Sequence, residues 1–166
     1  MVKTKINCVY LDMDGVIANF SKRYKELYHM APEEARTHRE FHGFFDQFIA
    51  GGEFATLELM PDAMKLVEYL RNAEPTTVIL SSTANEKNFD AISKQKVEWL
   101  KTHDIDFQRK FVPGKQHKYK SARPDTLIID DTESVITDWR KAGGVAIWHK
   151  DVESTLVELK FLLENA

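Results

Sequence analysis

Val9-Tyr10-Leu11-Asp12-Met13-Asp14-Gly15-Val16 is the stretch that decides how the rest of the chain is interpreted. An apolar strand is followed there by two aspartates, spaced two residues apart, and a glycine. Because strand side chains alternate between faces, Asp12 and Asp14 are predicted to point to the same side. Two such carboxylates repel each other and lose hydration, which proteins tolerate where a cation or a reaction needs both. An Asp-rich turn closed by glycine is the plainer interpretation.

The length and composition of the chain are typical of a small globular protein. Its 166 residues suffice for one core domain with a small insertion, and 43% hydrophobic and 30% charged residues are ordinary values. The net charge of -3 argues against polymeric nucleic acid as a partner, because such proteins need a basic surface. Small phosphorylated ligands stay compatible with this charge.

The ends and the single cysteine favour a cytoplasmic protein. Cys8 cannot form an internal disulfide and is predicted to be a thiol of the core. Residues 1–6 lack the apolar segment of a signal peptide, and no stretch approaches the ~20 apolar residues of a membrane span. We therefore expect no membrane association.

Predicted strands and helices alternate along most of the chain. Apolar runs predict strands at residues 5–11, 76–80, 106–112, 126–129 and 145–148. Helical spacing and helix-start signals predict helices from near Val16, Pro32 and Pro61, at 88–102, from Thr132 to Gly143, and at 152–164. This alternation predicts an α/β fold, a parallel sheet with helices on both faces. The carboxyl ends of its strands then share one edge, where ligands bind in such folds.

Residues 20–56 do not fit the alternation and are predicted to form a small helical cap over that edge. The core domain is then residues 1–19 and 57–166. The cap segment contains six phenylalanines, most of which are predicted to form a small apolar core of its own: Phe20, Phe41, Phe44, Phe45, Phe48 and Phe54. Phe20 and Phe54 flank its two hinges and are therefore nearest the predicted site.

Polar side chains follow three of the predicted strands. Asp12 and Asp14 end the first, Ser81 ends the second, and Asp130 and Asp131 end the fourth. Four carboxylates at one sheet edge need countercharge, and hard oxygen ligands with room for water and phosphate suit Mg²⁺.

A basic segment precedes the strand that ends at Asp130. Residues 108–123 contain no acid and six basic residues: Arg109, Lys110, Lys115, Lys118, Lys120 and Arg123. Most of these side chains are expected to be solvated. At least one lysine is predicted to reach the site, because the segment leads directly into that strand.

These residues resemble the four motifs of the haloacid dehalogenase (HAD) superfamily of phosphohydrolases. Asp12-Met13-Asp14-Gly15-Val16 looks like its first motif, and the apolar strand ending at Ser81 looks like its second. A lysine before the last motif is the third, and the strand ending in Asp130-Asp131 is similar to the fourth. The resemblance implies a three-layer Rossmann-like fold with a cap after the first strand.

A narrower resemblance is to the 5'(3')-deoxyribonucleotidases and related small phage and bacterial nucleotidases. It lies in the opening from Tyr10 to Phe20, in the segment from Phe54 to Ala63, and in the C-terminal part with Trp139 and Gly143-Gly144. The match is loosest around the third-motif lysine. The substrate it implies is a nucleoside monophosphate, with Mg²⁺ as the cofactor.

The resemblance also implies a mechanism through an aspartyl-phosphate. Asp12 would be the nucleophile and Asp14 the general acid and base. The metal ligands would be Asp12, the main-chain carbonyl of Asp14, and Asp130 or Asp131. Ser81 would contact a phosphoryl oxygen, and the lysine would neutralise charge there. Lys118 is the first choice for that lysine because it lies four residues before Ala122, with Lys120 and Lys115 as alternatives.

Substrate contacts are predicted for Phe20, Phe54, Ser82 and Lys120. Phe20 is the first choice for stacking on a base, and a buried helix residue is its plain alternative. Ser82 and Thr83 contact phosphate or cap the following turn. Asp14 favours a phosphatase over a dehalogenase, because an alkoxide leaving group benefits from an acid and a halide does not.

The remaining polar and aromatic residues give weaker signals. The six histidines show no metal-ligand spacing and are predicted to lie at the surface, with His117 as a possible phosphate contact. Trp99, Trp139 and Trp148 are predicted to be core residues. A phosphatase for another small phosphomonoester or a polynucleotide end, and a non-catalytic binding module, are the alternative functions. A cap of this size is compatible with a homodimer.

Overall fold

A computed structural model describes residues 4–164 and contains a five-stranded parallel sheet. The strands are β1 Cys8–Leu11, β2 Thr76–Ser82, β3 Gln108–Val112, β4 Thr126–Asp130 and β5 Val145–Trp148. They lie in the order β3-β2-β1-β4-β5, and every neighbouring pair is parallel. The predicted α/β class with a parallel sheet is therefore confirmed.

Helices cover both faces of the sheet. They are α1 Phe20–Tyr28, α2 Pro32–Thr37, α3 Gly43–Ala50, α4 Ala63–Asn72, α5 Phe89–Thr102, α6 Glu133–Lys141 and α7 Val152–Glu164. Short 3₁₀ segments occupy Arg39–Phe41, Glu53–Thr56 and Lys115–Ser121. Buried residues of α4, α5 and α7 share an apolar cluster with Leu11 and Ile129, whereas those of α6 share a second cluster with Leu80 and Ile128. Neighbouring strand residues point to opposite faces, so the two clusters lie on opposite sides.

The strand order places a topological switch point between β1 and β4. The chain extends the sheet in one direction from β1 through β2 to β3, and in the other from β4 to β5. Leu11 is paired with Ile129, and the amide of Asp12 donates to the carbonyl of Ile129 at 3.0 Å. Asp12 and Asp130 therefore leave adjacent strands side by side, at the kind of crevice where α/β proteins bind ligands.

The helix predicted to begin near Val16 begins four residues later, at Phe20. A compact turn precedes it, in which the amides of Val16, Ile17 and Ala18 all donate to the carbonyl of Met13. The side chain of Asn19 then accepts a bond from the amide of Lys22 and caps α1. The apolar residues after Asp14 therefore lie in a buried turn, which the helical spacing of their side chains concealed.

Residues 20–56 contain helices and 3₁₀ turns and no strand. Phe48 and Phe54 are buried in the same apolar cluster as Leu11 and Ile17 of the sheet region. The segment is therefore packed continuously onto the core. Its assignment as a separate cap stays a prediction.

Two side chains near the end of β5 differ from expectation. Trp99 and Trp139 are fully buried, as predicted, but the prediction was wrong for Trp148, which is 38% exposed. Trp148 ends β5, and Lys150 lies over its ring, with Nζ 3.3 Å from the centroid. His149 is buried rather than at the surface, because its Nδ1 pairs with the hydroxyl of Thr155 at 2.7 Å.

Cys8 lies at the start of β1 and is half-buried, so it is not the fully buried core thiol that the sequence predicts. Burial raises the pKa of its thiol. Within residues 4–164, no helix combines the length and the apolar character needed to cross a membrane.

Candidate active site

A cavity of about 540 Å³ opens at the carboxyl end of the sheet. Its floor contains Asp12, Asp14 and Asp131, and its walls come from the basic segment and from residues 20–56. The aspartates predicted at the ends of β1 and β4 are thus brought to one site by the parallel sheet.

Three carboxylates of this site lie close enough to share an ion. Asp12, Asp130 and Asp131 each offer an oxygen, and these oxygens lie within 4.8 Å of one another. Gly15 allows the third carboxylate to come this near: its φ is +83°, and a Cβ there would overlap the carboxylate of Asp131. The close approach of Asp131 and the positive φ therefore explain why a glycine follows Asp14 in the first motif.

Lys118 is the lysine that the structure brings to these carboxylates. Its Nζ lies 2.9 Å from Oδ1 of Asp12 and 2.7 Å from Oδ2 of Asp130. Burial lowers the pKa of Lys118, but the charges of Asp12 and Asp130 outweigh burial and raise it overall, so the side chain is a cation. Lys115 is exposed at the cavity wall, whereas Lys120 is exposed and lies outside the lining, 3.0 Å from Nδ1 of His117.

In their ionised forms, the carboxylates of this group carry more charge than the cation beside them. Among residues 4–164, Asp12, Asp130 and Asp131 face one ammonium, that of Lys118. Burial, followed by the charge of Asp130, raises the pKa of Asp12 well above its usual value. Loss of hydration and the charge of Asp130 also raise the pKa of Asp131. A divalent cation with hard oxygen ligands fits this donor set, since it would supply the missing charge.

Asp14 is held by a residue that the sequence interpretation missed. Lys96 of α5 is 1% exposed, and its Nζ donates to Oδ2 of Asp14 at 2.9 Å. The same ammonium donates to the hydroxyl of Ser81 at 2.6 Å and to the carbonyl of Ser82 at 2.8 Å. Lys96 lies four residues after Ile92 and three before Trp99, both buried. A lysine within an apolar helical stripe was the available signal.

Ser81 does not reach the cavity as predicted, whereas Ser82 lines it and its hydroxyl accepts a bond from the amide of Ala84 at 3.0 Å, which caps the following turn. Ser81 is fully buried, and its hydroxyl bonds to Lys96. It lies on the same face of β2 as Ile79, whereas Asp12 shares the face of Leu80 and Ser82. The structure therefore brings Ser82, followed by Thr83, to the cavity wall. The alternation of strand side chains is the physical reason.

Aromatic side chains form one wall of the cavity. Phe20 and Phe54 both line the cavity, and their rings stack at 5.3 Å between centroids with 16° between planes. Phe20 also meets the edge of Phe48 at 5.1 Å. Tyr24, Phe41 and Phe45 complete this wall, together with the polar residues Arg36 and His42. A cavity that combines carboxylates and a lysine with aromatic rings suits an amphipathic ligand.

Comparison with solved structures agrees with this fold. A hydrolase from Streptococcus pneumoniae TIGR4 is similar, with a TM-score of 0.56 and 14% identity over 97% of this chain and 100% of that one. A HAD family enzyme from Bacteroides thetaiotaomicron has a TM-score of 0.57 and 15% identity over 93% and 99%. In complex with magnesium and inorganic phosphate, that enzyme has a TM-score of 0.54 and 16% identity over 91% and 98%.

Family comparison covers most of the chain. No curated protein matches it. The family model for "5' nucleotidase, deoxy (Pyrimidine), cytosolic type C protein" matches residues 5–148, which include Asp12, Lys118 and Asp131. The chain belongs to this 5'-nucleotidase family and is therefore a phosphohydrolase of the HAD superfamily.

Proposed function

We propose that the protein is a Mg²⁺-dependent 5'-nucleotidase that hydrolyses ribo- or deoxyribonucleoside monophosphates through an aspartyl-phosphate. The observation that carries the proposal is the arrangement of one cavity. Asp12, the nucleophile, is fixed by Lys118 at its floor, and the stacked rings of Phe20 and Phe54 form a wall. Family membership supports the same reaction class.

The chain's own residues account for most of the reaction. Asp12 attacks phosphorus, so that the bond to the leaving oxygen breaks while a bond to the carboxylate forms. Asp14 gives a proton to the leaving oxygen and then takes one from the water that attacks the phosphorylated aspartate. Lys118 neutralises charge on Asp12 and the transferred group. In place of Ser81, we assign the contact with a phosphoryl oxygen to Ser82, because Ser82 lines the cavity.

The carboxylates of Asp12, Asp130 and Asp131 would hold the Mg²⁺. By the family resemblance, the main-chain carbonyl of Asp14 would be a further ligand. When bound, the ion would supply Lewis-acid polarisation of a phosphoryl oxygen. Lys118 reduces the repulsion between the charges of Asp12 and Asp130, because its ammonium bonds to both carboxylates.

Substrate selection is assigned to the aromatic wall. A nucleobase would stack against the ring of Phe20, which is half-buried, while Phe54 supports that ring from behind. Lys115, at the cavity wall, replaces Lys120 as the second lysine within reach of a ligand. A cytoplasmic location and a small-molecule substrate remain the expectations for the whole protein, and a homodimer is compatible with them.

Phosphate release from a panel of nucleoside monophosphates and sugar phosphates tests the proposal. We expect release from nucleotides with Mg²⁺, none with chelator, and none from the Asp12→Asn variant. Asp90→Asn, at an exposed aspartate of α5, is the matched control and should keep full activity. Release from sugar phosphates alone would keep the mechanism and refute the substrate. Activity that persists in Asp12→Asn would refute the assigned nucleophile.

A further inference from the structure

Lys96 is a buried ammonium that no step above uses. Its three bonds, to Asp14, Ser81 and the carbonyl of Ser82, occupy all three hydrogens that a lysine can donate. It therefore has no donor left for a phosphate or a sugar. Any influence on the reaction must act through the groups it holds.

The two oxygens of Asp14 have different surroundings. Oδ2 accepts the bond from Lys96, whereas Oδ1 is buried and has no hydrogen-bond partner among residues 4–164. A buried carboxylate oxygen without a partner costs free energy and calls for an explanation. Asp14 also lines the cavity, and its side chain is 30% exposed. The bond from Lys96 therefore fixes the orientation in which this carboxylate meets the cavity.

We propose that Lys96 is a positioning residue for the phosphatase reaction: by bonding to Oδ2 of Asp14, it holds this carboxylate in the place from which it transfers the proton. The inference rests on the proposed function. In the first step the bond from phosphorus to the leaving oxygen breaks, the bond to Asp12 forms, and the proton of Asp14 moves to the leaving oxygen. In the second step water bonds to phosphorus, the bond to Asp12 breaks, and a proton of that water moves to Asp14.

Lys96 also connects two parts of the site. By bonding the carbonyl of Ser82 as well as Asp14, the same ammonium ties the end of β2 to the turn after β1. The distance between the proton-transferring carboxylate and the cavity wall at Ser82 is therefore set by one side chain from α5. Proton transfer depends steeply on such distances, because donor and acceptor must come within hydrogen-bond reach.

Leaving-group dependence distinguishes this role from a merely structural one. A nucleoside monophosphate releases an alkoxide that needs a proton, whereas p-nitrophenyl phosphate releases a nitrophenolate that does not. We expect Lys96→Met to lower kcat/KM by about 10–100-fold on the nucleotide and by less than about 3-fold on the aryl ester. General loss of structure would lower both alike. Lys94→Met, at an exposed lysine of the same helix, is the matched control and should change neither.

A double-mutant comparison keeps the inference testable if Lys96→Met folds poorly or if the aryl ester is not turned over. Asp14→Asn together with Lys96→Met removes both members of the buried ion pair. If Lys96 acts through Asp14, this double variant should be no slower on the nucleotide than Asp14→Asn alone. A further loss of tenfold or more would overturn the inference.

The outcomes separate the inference from the function on which it rests. Wild-type protein that hydrolyses neither substrate would overturn the proposed function, and the inference with it. An active wild type with equal losses on both substrates would overturn the inference alone. A selective loss on the nucleotide, absent from Lys94→Met, would establish it.

Discussion

Lys118→Met should reveal how strongly the carboxylates at the sheet edge repel one another. Methionine keeps most of the volume of the side chain but removes the ammonium that bonds to Asp12 and Asp130. Both carboxylates are buried, so each loses its partner in a region with little water. Removing one member of a buried ion pair costs about 3–5 kcal/mol of the free energy of unfolding.

This loss can be measured as a melting temperature in the presence of chelator. For a chain of this length, each kcal/mol shifts the melting temperature by about 2–4 °C, so we expect a decrease of about 6–20 °C. Mg²⁺ should partly restore stability, because it supplies the charge that the lysine no longer does. At a concentration 100 times its dissociation constant, a bound ion adds about 2.7 kcal/mol. That corresponds to an increase of about 5–11 °C.

Lys120→Met is the matched control, two residues away in the same segment and exposed. It should melt within about 2 °C of wild type, since exposed charges contribute little. A Lys118→Met variant that melts like wild type in chelator would refute the view that Lys118 balances the buried carboxylates. Mg²⁺ that stabilises the variant less than the wild type would refute the assignment of the ion to this cluster.

Two further predictions test the turn after β1 and the packing of α4. Gly15→Ala should lower the melting temperature and weaken Mg²⁺ binding, because a Cβ would overlap Asp131 and the positive φ would add about 1–3 kcal/mol of strain. Calorimetry measures both effects, with Gly43→Ala as the control, since no atom lies within 4 Å of a Cβ there. Equal effects at both glycines would contradict the steric argument. Burial and the hydrogen bond to Glu164 raise the pKa of Tyr69 to about 12, so its contribution to stability is complete below about pH 10 and is lost as the pH rises toward 12. Denaturant unfolding at pH 9 and pH 11 should therefore show a smaller decrease for Tyr69→Phe than for wild type, and an equal decrease would rule out this linkage.

The strand ends of the site could be predicted because several independent rules agree there. Continuous apolar runs fix β1 and β4, and parallel strands with right-handed connections share their carboxyl edge. Asp12, Asp130 and Asp131 follow directly from those rules, and the structure brings their oxygens together. The basic segment leads into β4, which predicts a lysine at the site, but the choice of Lys118 over Lys120 and Lys115 came from the family resemblance.

Some residues were harder to predict because a shift of one residue in a strand, or a rotation of a helix about its axis, changes which way their side chains point. Ser81 and Ser82 both follow an apolar run, and only the pairing of β2 with β1 decides which of them faces the cavity. Lys96 lies in a helix that also carries Lys94 and Lys101, both exposed. Composition alone cannot distinguish a lysine on the buried face from these two, and its partner Asp14 is 82 residues away.

Two buried lysines at this sheet edge each bond to a different aspartate of the first motif. Lys118 bonds to Asp12, and Lys96 bonds to Asp14, although the two lysines come from different elements and lie in different parts of the chain. The second pair is balanced, one ammonium to one carboxylate, whereas Lys118 is shared by Asp12 and Asp130, with Asp131 beside them. The excess negative charge is therefore confined to the residues proposed to bind the metal. The side chain of Asp14 is left with a fixed partner, Lys96, which suits a carboxylate that transfers protons.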